Sequence, residues 1–359
     1  MAFIISGIQQ IGVGIPNLEA AWLWYRCKFG LDIPIFREAG EAPFMTAYTG
    51  DEIQSRDALL AINLRGGGGL EIWQYTSRLT TSPAKSPILG DLGIFAARIK
   101  TSDLVAAHRF LVDSGVMVLG NPEATPGGHM TFFVRDSWGN LFQIVHSDSW
   151  FKSRGHPTGG VAGALIGVSD IDATFPLYRD LLGYNRIEFD ETGVFPDWSS
   201  LNGGGGEFRR VLLSSREKQA GPFGALLGSS SIELVQTLDR KPKRIFADRF
   251  WGDAGFIHLC FDIQGMDALG SELNSRGFGF TVDSHTSFDM GDAAGRFTYI
   301  EDPDGTLIEF VETYRIPIIK KLGWFIDLTK RRREEALPSY VIKALALNRV
   351  KGNCDSPQY

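Results

Sequence analysis

Residues 302–312 read DPDGTLIEFVE, and residues 136–146 read DSWGNLFQIVH. In both stretches an aspartate and a glycine lie three residues apart and an apolar run follows, which is typical of a tight turn that leads into a strand. One polar residue interrupts each apolar run, Glu309 in the first and Gln143 in the second. A polar side chain is costly to bury in a strand unless it is paired or bound, so both positions are candidates for a functional site.

The rest of the chain repeats itself in two interleaved series. One series pairs residues 8–32, IQQIGVGIPNLEAAWLWYRCKFGLD, with residues 161–185, VAGALIGVSDIDATFPLYRDLLGYN. The other pairs residues 90–99, GDLGIFAARI, with residues 252–261, GDAGFIHLCF. Each unit begins as a strand, continues as a helix and closes with apolar strands. The repeats therefore predict four units, which start near Gly7, Leu92, Val161 and Phe256.

Length and composition narrow the class of protein. A chain of 359 residues fits two domains, and a net charge of -6 argues against a general role in binding nucleic acid. Three widely spaced cysteines, Cys27, Cys260 and Cys354, predict a reduced protein without a disulfide framework. No signal peptide or membrane span is recognised, so a cytoplasmic location is expected.

The quoted endings, together with QIGVGIPNLEAAWLWY and FIHLCFDI, make the sequence similar to the vicinal oxygen chelate superfamily, which includes glyoxalases, bleomycin-resistance proteins and extradiol dioxygenases. The resemblance covers roughly residues 5–312. It implies an α+β fold of four βαβββ modules that form two open, barrel-like cups, followed by a C-terminal helical tail. We expect one domain at 1–150 (modules one and two), a second at 160–312 (modules three and four) and a basic, partly helical tail at 313–359.

Members of this family carry metal ligands in the first and last strands of each module. At these positions modules one to four hold, in order, Gln10 and Glu71, Ala96 and Gln143, Gly163 and Glu233, and His258 and Glu309. Carboxylates, an imidazole and an amide oxygen can surround a divalent ion and leave a position for water or substrate.

The pairing of the modules decides which ligands meet. If modules one and four share a cup, the set is Gln10, Glu71, His258 and Glu309, which resembles the Gln/Glu/His/Glu pattern of glyoxalase I. If modules three and four share a cup, the set is Gly163, Glu233, His258 and Glu309. We favour the first pairing because it leaves one complete site and one degenerate cup, but the sequence leaves both open.

The resemblance implies a metal-dependent isomerase, epimerase or lyase that abstracts a proton next to a carbonyl of a small molecule chelated through vicinal oxygens. We expect one divalent ion (Zn, Ni, Mn, Co or Fe), with Glu71 or Glu309 as the base. Two alternatives remain. One is an iron-dependent dioxygenase of the extradiol or hydroxyphenylpyruvate type, with Glu233, His258 and Glu309 as its site. The other is a non-catalytic binding protein of the bleomycin-resistance type. The sequence is also compatible with a homodimer.

In the tail beyond residue 312, apolar stretches alternate with basic ones. The spacing of Leu322, Phe325, Ile326 and Thr329 predicts a helix, Pro338 should interrupt it, and residues 340–347 predict a second short helix. Three roles are open for the tail: docking on the sheets, a lid over the active site, and, least favoured, contact with a membrane surface.

Overall fold

The computed structural model describes residues 3–216, 219–285, 288–290, 293–319, 323–352 and 354. Within these residues each of the four predicted units folds as a strand, a helix and further strands. Module one consists of β1 (Ile4–Gly14), α1 (Leu18–Phe29), β2 (Ile33–Glu41), β3 (Ser55–Ile62) and β4 (Gly69–Tyr75). Module two consists of β5 (Gly93–Thr101), α2 (Leu104–Asp113), β6 (Met117–Ala124), β7 (Met130–Arg135) and β8 (Leu141–His146).

The second half of the chain follows the same plan with more insertions. Module three consists of β9 (Thr158–Gly167), α3 (Ile171–Phe175) with a π-helical turn at Pro176–Leu181, β10 (Arg186–Gly193), β11 (Phe208–Ser214), α4 (Gly224–Leu227) and β12 (Ser231–Thr237). Module four consists of β13 (Gly255–Gln264), α5 (Met266–Ser275), β14 (Val282–Asp283), β15 (Phe288–Met290), β16 (Ala293–Glu301) and β17 (Leu307–Ile319). The tail adds β18 (Trp324–Asp327) and α6 (Ser339–Ala344).

The strands form two sheets, and each sheet joins two modules. The first sheet runs β14-β16-β17-β13-β1-β4-β3-β2, with β15 beside β16 and β18 beside β17. The second runs β10-β11-β12-β9-β5-β8-β7-β6. The sheet order confirms that modules one and four share one cup, while modules two and three share the other. Residues 1–150 and residues 160–312 both contribute strands to each sheet. The division of the chain into two domains at these bounds therefore stays a prediction from the sequence repeat.

The helices pack in the space between the two sheets. Asn17 caps α1 by accepting a hydrogen bond from the Ala20 N–H at 3.0 Å, and Gly30 ends the helix in a left-handed conformation with φ of 66°. The helix buries Leu18, Ala21 and Tyr25 on one side. The largest core cluster combines such helix residues with apolar residues from both sheets, so the two cups share one hydrophobic interior.

Two quasi-equivalent hydrogen bonds link module one to module two and module three to module four. The Tyr25 hydroxyl in α1 donates to Asp136 Oδ2 at 2.6 Å, and the Tyr178 hydroxyl in module three donates to Asp302 Oδ2 at 2.8 Å. Both phenols are fully buried, and both aspartates lie in the turns quoted from the sequence. Because the two modules of each linked pair lie in different sheets, each bond joins the two cups.

The tail differs from its predicted form in its first part. Residues 324–327 form β18 and pair with β17, so the helix predicted through Phe325, Ile326 and Thr329 is wrong; Leu322 lies outside the described residues. β17 extends beyond Val311, where its pairing with β13 ends, and β18 pairs with this extension from Arg315 onward, where a strand can complete the free hydrogen bonds. The second helix is confirmed as α6. No helix in the described residues is long and apolar enough to cross a membrane.

The structure also corrects the expectation for the cysteines. Cys27 in α1 and Cys354 at the chain's end form a disulfide, and Cys260 is a buried thiol. The two partners are separated by 327 residues, so no local spacing indicates the pair. Disulfides persist mainly in oxidising compartments, and the expected cytoplasmic location therefore loses the support of the cysteine count.

We predict that Tyr25→Phe and Tyr178→Phe each lower the free energy of unfolding by about 1–2 kcal/mol, because each leaves a buried carboxylate oxygen short of a donor. The loss should be smaller for Tyr25→Phe, since Asp136 Oδ2 also accepts from the Asn140 amide at 2.8 Å. Urea denaturation of both variants measures the effect. Unchanged stability in both would show that the bonds do not hold the two cups together.

Candidate metal centre

The four predicted ligands lie on four neighbouring strands at the middle of the first sheet. Gln10 is on β1, Glu71 on β4, His258 on β13 and Glu309 on β17. Strand register aligns them: Gly12 is the partner of both Glu71 and His258, while Cys260 is the partner of both Gln10 and Glu309. Period-two alternation then directs the four side chains into the same cup.

The glycine at position 12 makes room for the imidazole. A Cβ atom at Gly12 would lie 2.4 Å from His258 Cε1 and 2.6 Å from His258 Nε2. These distances are shorter than any tolerated contact, so a side chain at position 12 would displace the ring. The pattern IGVG in β1 therefore reflects the histidine on the neighbouring strand.

The four side chains converge on a single point. Glu71 Oε2 lies 3.1 Å from His258 Nε2 and 3.1 Å from Gln10 Nε2. Glu309 Oε2 lies 3.2 Å from His258 Nε2 and 3.4 Å from Gln10 Nε2. All four residues are less than 9% exposed. One ligand atom from each of Glu71, His258 and Glu309 can be chosen so that the three lie within 4.8 Å of one another, which is close enough to hold a metal ion.

The hydrogen bonding of this cluster is incomplete. His258 Nε2 makes no properly directed hydrogen bond despite the two nearby carboxylates, and Gln10 Oε1 is buried without any donor. A half-turn of the Gln10 amide would exchange its oxygen and nitrogen and direct the oxygen at the common point. An imidazole nitrogen and an amide oxygen left without partners beside two carboxylates are a donor set that suits a divalent cation.

The charge of the cluster also suits a divalent cation. Within the part of the chain that the structure describes, the two carboxylates have no lysine or arginine partner. Burial raises the pKa of Glu309, His258 acts against the rise, and Glu71 adds to it. Burial alone would lower the pKa of His258, but Glu309 and Glu71 outweigh it and the pKa is raised. The cup thus has an excess of negative charge in a place that water hardly reaches.

Aromatic neighbours fix the orientation of the histidine. The Tyr299 hydroxyl lies 3.3 Å from His258 Nδ1, and Trp251 stacks against the ring with a centroid distance of 6.3 Å and an interplanar angle of 18°. Tyr299 is also the strand partner of Glu309. A hydrogen bond to Nδ1 leaves Nε2 as the nitrogen that faces the carboxylates, as in histidine ligands oriented by an outer partner.

The cavity above the cluster is mostly apolar. Strand residues such as Phe36, Leu60 and Val311 form its sides. Leu226 beside α4 comes from the other cup, and Leu345 and Asn348 come from the tail. The tail helix is held in place by Val341 and Ile342, which belong to a separate core cluster with Ile33 and Leu64. The tail is therefore both docked on the protein and part of the cavity wall; its action as a lid remains a prediction.

The equivalent positions in the second cup are not brought together as a metal site. Glu233 is bound by the Arg210 guanidinium, with a distance of 2.8 Å from Nε to Oε1, and Gln143 donates to Thr131 at 3.4 Å. Ala96 and Gly163 offer no ligand atom. The alternative set of Glu233, His258 and Glu309 is not assembled either, because Glu233 lies in the other sheet.

Sequence reasoning missed Tyr299, Trp251 and the cavity residues of the tail. Tyr299 could have been found from the register, since a residue opposite Glu309 on a neighbouring strand shares its face. No sequence signal places Trp251 or Leu345 at the site, because both come from segments outside the repeated strands.

Comparison with known proteins agrees with this architecture. The family model of the Glyoxalase/Bleomycin resistance protein/Dioxygenase superfamily matches residues 7–144 and 160–310. Glyoxalase I from Zea mays superposes with a TM-score of 0.51 at 12% identity, over 85% of this chain and 92% of that one. A putative dioxygenase from Bacillus subtilis superposes with a TM-score of 0.53 at 15% identity, over 86% of each chain. No curated protein sequence matches this chain. At such identities the structures show a shared fold.

A further buried acid lies beside the cavity. Asp262 on β13 is fully buried; its Oδ1 lies 3.4 Å from Gln9 Nε2, and its Oδ2 has no donor. Burial raises the pKa of Asp262 to about 7, although the nearby polar side chains of Ser6 and Gln9 oppose the rise. The folded protein therefore keeps this carboxyl protonated at pH values where the unfolded chain has lost the proton.

We predict that ionisation of Asp262 destabilises the protein progressively as the pH rises from about 4 to about 7, because the folded state binds the extra proton across that window. Asp262→Asn removes this penalty. In metal-free protein, the stability of the variant relative to the wild type should increase by about 2–3 kcal/mol between pH 5 and pH 8. Urea denaturation measures the difference in the free energy of unfolding between the variant and the wild type. A difference that stays constant from pH 5 to pH 8 would contradict the raised pKa of Asp262.

Proposed function

Because the chain belongs to the Glyoxalase/Bleomycin resistance protein/Dioxygenase superfamily, we propose that it is a metal-dependent isomerase, epimerase or lyase. It would transfer a proton at a carbon next to a carbonyl group, in a small substrate with oxygens on adjacent carbons. The observation that carries this proposal is the meeting of two buried carboxylates, Glu71 and Glu309, with His258 and, among the residues that the structure describes, no lysine or arginine.

The residues of the first cup fit a divalent metal. His258 Nε2, the two carboxylates and the Gln10 amide oxygen would hold it, and two of these donors have no other hydrogen bond. When bound, the metal would act as a Lewis acid toward the oxygens of the substrate. The second cup lacks such a set, so we propose about one metal ion per chain.

We assign the proton transfer to a carboxylate of the cluster, with Glu309 as the first candidate. Glu309 lines the cavity in which the substrate would lie, and its carboxylate could receive a proton there. Glu71 is the second candidate because it also lines the cavity. Gln10 and His258 would keep their positions while one carboxylate receives and returns the proton.

The cavity wall indicates what kind of substrate fits. Leucine, isoleucine, valine and phenylalanine side chains dominate it, and none of the described residues that line it is a lysine or an arginine. A phosphorylated or polycarboxylate substrate would find no counter-charge there. We therefore propose a substrate with a chelating oxygen pair at one end and an apolar body at the other.

We predict that purified protein loaded with a divalent metal retains about one equivalent after gel filtration. His258→Ala and Glu71→Gln should lose it, because each removes a ligand from the first cup. Glu233→Gln is the matched control: it makes the same chemical change at the equivalent position of the second cup and should retain the metal. Elemental analysis of folded protein gives the count. Two equivalents in the wild type, or retention by Glu71→Gln, would contradict the proposed site.

The reaction type can be tested in deuterated water. Metal-loaded protein is incubated with 2-hydroxyketones, 2-hydroxyaldehydes and 2-oxo acids of increasing apolar chain length, and ¹H NMR follows the hydrogen on the carbon next to the carbonyl. We expect metal-dependent loss of that signal, fastest for the apolar members, without oxygen consumption. Oxygen uptake would indicate a dioxygenase instead, and tight binding without exchange would indicate a sequestering protein.

A further inference from the structure

The second cup contains a cavity of its own, of about 510 Å³. The cavity of the first cup is lined mainly by apolar side chains, whereas seven serines line this one, together with charged and imidazole side chains. The cup has lost its metal ligands, yet it has not filled with apolar side chains. A cavity of this size lined with hydroxyl groups is suited to a polar ligand.

Arg98 on β5 is the charged group in its interior. The residue is 4% exposed, and its Nε and Nη1 atoms are buried without a hydrogen-bond acceptor. The nearest carboxylate oxygen, Glu233 Oε2, is 3.9 Å from Nη1, which is beyond hydrogen-bond distance. Buried guanidinium groups are normally paired, so these donors lack the acceptor that their environment requires.

Glu233 is held by a different arginine through one of its oxygens. The Arg210 guanidinium binds Glu233 Oε1 on one side and both oxygens of Asp197 on the other, at 2.8 Å and 2.9 Å. Arg210 also lies over the Trp198 ring at 3.7 Å from its centroid. This arrangement fixes Glu233 with its other oxygen, Oε2, at 3.9 Å from Arg98 Nη1 and without a hydrogen-bond donor, so Arg98 has an ion pair with Glu233 but no hydrogen bond to it.

The position of Arg98 follows from the lost metal ligand. Arg98 is the strand partner of Gly163, the residue that replaces Gln10 in this cup. A Cβ atom at Gly163 would lie 3.3 Å from Arg98 Cδ. The backbone oxygen of Ser231 lies closer still to that position, so a side chain is excluded at Gly163, and the guanidinium on its strand partner lines the cavity.

The charged groups at the rim of the cavity pair with one another. Arg186 pairs with Glu188 at 2.5 Å, and His146 lies 3.2 Å from the exposed Asp148. Behind the wall, Lys100 is fully buried and donates to the carbonyl of Ser149 at 2.7 Å. Burial, and then Arg65, lower the pKa of Lys100 to about 7, and an anion nearby would favour its charged form.

We propose that the second cup binds a small oxyanion, a carboxylate or a phosphate group, through the guanidinium of Arg98, with serine hydroxyls around the rest of the ligand. The planar fork of arginine donors matches two oxygens of either group. This site is independent of the metal centre, since the two cups lie in different sheets. The chain would then carry one site of each kind on related scaffolds.

The test uses metal-loaded protein and three probes. Succinate represents a carboxylate without vicinal oxygens, inorganic phosphate represents the other oxyanion, and succinamide is the neutral counterpart of succinate. Isothermal titration at constant ionic strength should show one equivalent of succinate or phosphate and no binding of succinamide. The preferred probe tells which oxyanion the site takes.

Three variants locate the binding. Arg98→Lys keeps the charge but removes the fork and should weaken binding about tenfold or more. Ala162→Leu leaves Arg98 unchanged but narrows the cavity, which Ala162 lines, and should also abolish binding. Glu309→Gln, in the first cup, should bind the probe like the wild type. Folding is verified for each variant by its thermal unfolding transition.

The proposal is wrong if neither succinate nor phosphate binds to the wild type, or if succinamide binds equally well. It is also wrong if binding survives both Arg98→Lys and Ala162→Leu, or if Glu309→Gln removes it. Because Glu309→Gln disables the metal centre, failure of the proposed enzyme activity leaves this test unaffected.

Discussion

Two carboxylates of the same sign, buried in the middle of one sheet, are the constraint on which the rest of this structure depends. Glu71 and Glu309 face each other across His258, and the chain provides no lysine or arginine to neutralise them in its described residues. Burying uncompensated charge is among the most costly things a protein can do. A bound cation would offset that cost, and Glu71, His258 and Glu309 lie close enough together to hold one.

The second cup neutralises its buried carboxylate with an arginine of the protein itself. Its remaining carboxylate, Glu233, is neutralised by Arg210, which is held in turn by Asp197 and Trp198. Arg98 is the strand partner of a glycine, and two of its guanidinium nitrogens have no hydrogen-bond acceptor. A repeated scaffold thus carries two cavities with different charged groups, and related backbones do not imply related ligands.

The chain path makes the first cup depend on the whole molecule. Its ligands come from the first and last modules, Gln10 and Glu309 being 299 residues apart. The buried bonds from Tyr25 to Asp136 and from Tyr178 to Asp302 tie the two cups together. The tail then returns to close the cavity with Leu345, and Cys354 is joined to α1. Contacts of such long range form only when the intervening chain is ordered.

The sequence by itself indicated the four modules, because strand alternation and glycine-marked turns are local properties that a repeat displays twice. The two cups and the four candidate metal ligands were implied by the resemblance to the family, and the role of those residues as ligands stays a prediction. The sequence also indicated, without deciding, that modules one and four share a cup. The tertiary structure decided that pairing, the strand form of residues 324–327, the disulfide of Cys27 and the position of Arg98 over Gly163. Each of these depends on which distant segments become neighbours, and no spacing along the chain encodes that choice.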